Sequence, residues 1–118
     1  MNIQLAKNRS IADVRNEFAN VYPFLRLDFY KKDNGKWGSS VKLAKAGLRR
    51  EGAIEIADGM TVRELEEKFL QHFGLQVQVA RKSGKLWLQT TTSDDWTLKQ
   101  QNERGQELSK PIEEINNS

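Results

Sequence analysis

Apolar residues fall along this chain in two rhythms, one alternating and one at helical spacing. Ile3 and Leu5 alternate with polar neighbours, which predicts a short strand. Ile11, Val14, Phe18 and Val21 then recur at helical intervals and form one apolar stripe. Ser10 stands where an N-cap belongs, with Asp13 in the acidic first turn. Pro23 ends this helix, because it disfavours helical geometry at Tyr22 and has no N–H to donate. Leu25, Leu27 and Phe29 alternate with Arg26, Asp28 and Tyr30, the pattern of a half-buried strand.

Asn34-Gly35 signals a tight turn, since both central positions of a type I′ turn need positive φ. A two-residue loop there would pair Phe29 with Ser40 and put Val41 and Leu43 on the wrong face of a half-buried sheet. The hairpin is therefore expected to be short or bulged. Residues 41–50 are then expected to be helical, capped by Ser39 or Ser40, with Val41, Ala44 and Leu48 on one side.

Ile54 and Ile56 predict another strand. Thr61 and Glu64 have the spacing of a capping box, Val62, Leu65, Phe69 and Phe73 supply a buried stripe, and Gly74 occupies a helix C′ position. A two-residue turn at Ser83-Gly84 would pair Val79 with Leu88 and Ala80 with Trp87. It would gather Leu75, Val77, Val79, Leu86 and Leu88 on one face. Gln76, Gln78, Lys82, Lys85, Trp87 and Gln89 would share the other. Asp94 or Asp95 is placed to cap a last helix, which Gly105 is expected to interrupt.

Strands near 24–31, 53–57, 75–82 and 85–91 are thus expected in one mostly antiparallel sheet, with helices 11–22 and 61–73 on one face. The class is α+β. The leading architecture is a ferredoxin-like βαββαβ core with an added C-terminal strand and helix, and a ubiquitin-like roll is the runner-up. One domain over 1–104 and a tail over 105–118, pinned through Ile112 and Ile115, fit the pattern. No internal repeat is evident.

Composition narrows the function classes. With 118 residues, 37% hydrophobic and 30% charged, the chain is polar but can bury a modest core. Cysteine is absent, so disulfides, thiolate metal sites and cysteine nucleophiles are excluded, and one histidine cannot build a multi-histidine centre. No secretory or membrane-length apolar run occurs, so a cytoplasmic protein without a membrane partner is expected. The net charge of +3 is unevenly spread: Lys31, Lys32, Lys36, Lys42, Lys45, Arg49 and Arg50 crowd one stretch, and an acidic stretch follows.

No phosphate loop, dinucleotide fingerprint, zinc-protease or nucleophile-elbow motif is present, so neither an enzyme nor a cofactor is expected. His72, a general-base candidate by its ordinary pKa, is as well explained by the favourable pole of a helix end. Asp94-Asp95 with Asp33 falls short of a cation loop, and capping accounts for the pair.

The aromatic and basic residues carry more. Trp87, Lys82 and Lys85 share the polar sheet face, and Arg26 and Tyr30 lie on the non-core face of their strand. Lys42, Lys45 and Arg49 would line one face of a helix over 41–50. Together these residues form a candidate ligand-facing surface. It suits a binding or assembly module with a protein partner or self-association. The alternative is a single-stranded nucleic-acid binder stacking bases on Trp87, provided that Trp96 and Leu98 do not cover the ring.

From Thr61 onward the chain resembles a set of small uncharacterised bacterial proteins. The resemblance is carried by Val62–Phe69 (VRELEEKF), Phe73–Val79 (FGLQVQV), Arg81–Thr91 (RKSGKLWLQTT) and Asp94–Asn102 (DDWTLKQQN). It covers the second half and implies no activity and no functional residue.

Overall fold

The computed structural model describes residues 1–110. Its elements run β1 (Asn2–Leu5), α1 (Ile11–Val21), β2 (Leu25–Tyr30), α2 (Leu43–Ala46), β3 (Gly52–Glu55), α3 (Val62–Phe73), β4 (Gln76–Ser83), β5 (Leu86–Gln89) and α4 (Leu98–Leu108). The fold is α+β. The succession β1-α1-β2-β3-α3-β4 is the expected βαββαβ order, with β5 and α4 added.

The strands do not join one sheet. β1 pairs antiparallel with β3, while β2, β4 and β5 form a separate antiparallel sheet in the order β2-β4-β5. Both sheets and the apolar sides of the helices feed one core, in which Phe18, Phe69, Leu27, Leu65 and Ile54 are fully buried.

The chain is built from one unit used twice, which overturns the expectation of no repeat. Ser10 and Thr61 each accept a hydrogen bond from the backbone three residues on and so start α1 and α3. In the first half Ile11 N donates to Val41 O (2.9 Å), Ala12 N to Ser39 O (2.8 Å) and Leu43 N to Arg9 O (2.8 Å). In the second half Val62 N donates to Trp96 O (3.1 Å), Arg63 N to Asp94 O (2.8 Å) and Leu98 N to Met60 O (2.9 Å). The bridges Ser10–Lys42 and Thr61–Thr97 correspond in the same way. Each half is therefore a strand, a capped helix, a strand, and a return segment that passes the helix start and opens a second helix.

The halves meet through equivalent residues. Ile3 faces Ile54 in the β1–β3 pair, and Asp28 faces Gln78 in the β2–β4 pair. An antiparallel ladder has its local twofold normal to the sheet between facing residues. Rotation about that normal exchanges α1 and α3 and leaves both on one face of the β2–β4 pair, as the sequence pattern predicts.

Local differences from expectation have simple causes. The helix expected over 41–50 lasts only from Leu43 to Ala46, because Gly47 takes the left-handed conformation (φ 107°) and stops it. The β4–β5 turn is Gly84-Lys85, not Ser83-Gly84: Ser83 pairs with Leu86 and Arg81 with Leu88. Gly84 supplies positive φ (61°) at the first turn position, the demand of a type II′ turn. This slip of two residues moves Lys85 into the turn but keeps the paired side chains of both strands on their expected faces. It also carries Leu86 and Leu88 past the core, leaving them 66% and 42% exposed. The first hairpin is short, as expected: Asn34 N donates to Lys31 O (3.0 Å), Asn34 takes φ 72°, and Lys31 N donates to Gly35 O (2.7 Å). That is a three-residue loop whose αL position is filled by Asn34.

The last helix is capped by Thr97, whose hydroxyl accepts from Gln100 N, while Asp94 pairs with Arg63 (2.7 Å). Nor does Gly105 interrupt it. The helix passes beyond the expected boundary at residue 104 to Leu108, and at Gly105 it packs closely against Phe24 and Arg81. A Cβ there would lie 2.8 Å from Phe24 Cβ and 3.0 Å from Phe24 O. Ile112 and Ile115 lie outside the described residues.

Two stability outcomes follow from this packing. Phe69→Ala should cost about 3–5 kcal/mol in denaturant melts, since it empties a fully buried ring that also meets Phe29 edge-on at 6.0 Å. A variant as stable as the parent would refute the core assignment. Gly105→Ala should lose about 1–3 kcal/mol to overpacking, more than the ~1 kcal/mol that a better helix former gains. An unchanged or raised midpoint would show that α4 does not rest on Phe24.

Candidate functional site

The duplicated unit creates two equivalent places, and the described residues fill only one. In the second half α4 lies along the end of the β2–β4 pair. Asn102 Oδ1 accepts from Phe24 N (2.9 Å), and Gln101 Oε1 accepts from Arg81 Nη1 (3.0 Å). Leu98 and Gln101 are fully buried on the same stripe as Gly105.

In the first half α2 begins in the same way but stops at Gly47, and the path that α4 takes beyond Asn102 has no counterpart. A groove of about 670 Å³ lies there, lined by the Tyr30–Asp33 turn, Trp37, Lys45–Gly47, Arg49, Leu70, Gly74 and Gln76. Lys31 occupies the position equivalent to Arg81, and Gly74 the position equivalent to Phe24.

The groove has an apolar floor and a cationic rim. Leu70 is half exposed, and Trp37 packs against the core with its Nε1 enclosed and without an acceptor. Lys31 Nζ lies 4.8 Å over the Trp37 ring. Arg49 Nη2 donates to the last carbonyls of α3, Leu70 O (3.1 Å) and Gln71 O (2.9 Å), and its stem lies over Gly74. Lys32 and Lys45 are exposed. Among the described residues none of these four cations forms an ion pair. Asp33 is the nearby acid, and it accepts from Gly35 N (3.0 Å). Past Tyr30, Leu70 and Gln76 the groove continues into a smaller cavity of about 210 Å³ bordered by Glu66 and Glu67.

The candidate surface read from sequence is divided by the fold. Tyr30, Lys45 and Arg49 come together in the groove. Arg26 and Trp87 line a different cavity with Ala12, Arg15 and Ala19 of α1. There the Arg26 guanidinium lies 4.9 Å over the Trp87 ring and is held by Asp28 through two hydrogen bonds (2.9 and 3.1 Å). Trp87 is thus half buried, and neither Trp96 nor Leu98 is among the residues that line its cavity. Lys82 faces Trp87 across the ladder, and Lys85 stands in the turn. Lys42 precedes α2 and bridges to Ser10, so it does not share a helical stripe with Lys45 and Arg49.

Trp37, Lys31, Lys32 and Leu70 also line the groove, although they do not belong to the candidate surface expected from sequence. The two lysines belong to the basic stretch already noted, and only the closed hairpin brings them beside Leu70.

The other titratable groups have structural partners. Asp28 is buried under Arg26 with Lys36 at 3.5 Å and Arg15 at 3.9 Å. Tyr22 donates to Asp58 (2.7 Å), and burial with that carboxylate pushes its phenol well above the usual range. His72 lies in the last turn of α3 beside Arg50 (3.4 Å). Among the described residues no three His, Asp or Glu side chains gather to hold a metal ion, and no helix is long and apolar enough to cross a membrane.

This site belongs to an α+β protein made of two matching βαβ units. No family model, curated protein or solved structure matches the chain.

Glu66, at the far end of the groove, accepts from Val79 N (3.0 Å), yet burial, with Asp94 adding, holds its carboxyl above the ordinary 4.5. A raised carboxylate favours the protonated native state, so its contribution to stability falls as pH rises through the folded value. Glu66→Gln should therefore flatten the decline of the urea midpoint as pH rises above 4.5. Parallel pH profiles for parent and variant would contradict that assignment.

Proposed function

We propose that this chain is a small non-enzymatic binding module whose working surface is the cationic groove between the Tyr30–Asp33 turn, α2 and the end of α3. One observation carries this reading: the place that α4 closes in the second half is open in the first among the described residues, and it is rimmed by four cations that form no ion pair among them. A solvated cationic rim over an apolar floor offers a ligand both steering and buried contact. The same rim would attract single-stranded nucleic acid. Trp87 is a poor stacking platform for it, because Arg26 already lies on that ring.

Amide spectra of the labelled chain, titrated at low salt with poly-glutamate and with a short oligothymidylate, test the reading. Residues 31–37, 45–49 and 70–74 should shift with at least one polymer, and the shifts should fade as salt screens the rim. Lys31→Glu combined with Lys45→Glu should remove the response while changing stability by only about 0.5 kcal/mol. No shift with either polymer, or shifts confined to other surfaces, would overturn it.

A further inference from the structure

We infer that the groove receives a two-turn amphipathic helix of a partner protein, with acidic side chains directed at Lys31, Lys32, Lys45 and Arg49. The inference rests on the groove being the working surface, and it names the occupant.

The template for that occupant is the chain's own α4. The two halves share strands, caps and return segments, and both begin a helix at the same point, Leu43 in one and Leu98 in the other. Leu43 and Leu98 are both fully buried. In the second half the helix continues as Asn102–Leu108 over the strand ends; in the first, Gly47 turns the chain away towards β3. The backbone that would receive the missing turns is still in place, since β2 and β4 are paired about equivalent residues. What remains uncovered is a floor of Leu70, Ala46 and Trp37, with Gly74 where Phe24 meets α4 in the other half.

Charge selects the partner's chemistry. In the second half the site is closed from within, and Arg81 donates through Nη1 to the uncharged Gln101 (3.0 Å). In the first half Lys31, Lys32, Lys45 and Arg49 rim the groove with no carboxylate partner among the described residues, Lys31 lying over Trp37 and Arg49 donating to the last carbonyls of α3. An incoming helix with an apolar stripe and acids flanking it would cover the floor and neutralise the rim. Glu66 and Glu67 border the adjoining cavity and disfavour acids there, so the partner's acids belong at the cationic end.

The probe is a blocked peptide with the sequence of Thr97–Ser109 carrying Lys99→Glu and Arg104→Glu, compared with a scrambled peptide of the same composition. The full chain, isotopically labelled, is titrated with each, and with oligothymidylate. The ordered peptide should shift residues 31–37, 45–49 and 70–74, gain helical circular dichroism, and bind at least about tenfold more tightly than the scrambled one. Lys31→Glu with Lys45→Glu should weaken it about tenfold. Leu70→Asp, at a half-exposed position, should do the same and serves if the double variant melts early. Equal binding of both peptides, or tighter binding of the oligonucleotide in the groove, would overturn the helix while leaving the groove as the working surface. Shifts centred on Phe24 and Arg81 would mean that the peptide displaces α4, which also overturns it. No response from any probe would remove both readings.

Discussion

Neither βαβ half of this protein can bury its strands alone, and the pairing of each strand with its counterpart in the other half is the constraint on which the rest depends. Ile3 opposite Ile54 and Asp28 opposite Gln78 set the two ladders. Those ladders fix where α1 and α3 stand and bring Phe29 and Phe69 together over the core. A two-stranded ribbon is marginal in water by itself. Here the β1–β3 ribbon is held because α1 and α3 lay apolar stripes into an interior it shares with the three-stranded β2-β4-β5 sheet.

The asymmetry between halves arises from small local choices. Gly47 ends α2 after one turn, whereas Thr97 opens a helix that holds its course through Gly105, which fits closely under Phe24. The first hairpin closes in three residues, and the second extends into β5. Similar scaffolds thus end in one self-closed site and one open groove. Turn and cap residues, rather than core residues, make the difference.

Much of the local structure was legible from residue order. The stripe from Val62 to Phe73 with Thr61 before it and Gly74 after it could hardly be anything but a helix, and the alternation in β2 and β4 placed the buried faces correctly. Register was harder: a slip of two residues at Gly84 preserves the alternation, so the hydrophobic pattern could not detect it. The repeat escaped because it is kept in hydrogen bonds and residue class, Ser10 for Thr61 and Ile11 for Val62, while Pro23-Phe24 opposite Gly74 breaks the spacing. The partition into two sheets is a matter of distant pairing that periodicity does not encode. The groove was half legible. The basic stretch stood out, and Tyr30, Lys45 and Arg49 were identified, but Leu70 and Trp37 meet them only once the sheets have closed.

The two ladders also bear on how the chain reaches its fold. The β4–β5 hairpin can pair locally, but Ile3 must find Ile54 before the β1–β3 ladder exists, and Asp28 must find Gln78 before β2 joins its sheet. Each encounter closes a long loop, whose entropy must be spent before any of those contacts is gained. Helices α1 and α3 can form early from their own caps, but the first half alone has no strand with which β1 or β2 makes its native pair. The chain should therefore fold more slowly than a helical protein of its size, through a transition state in which segments of both halves are already docked.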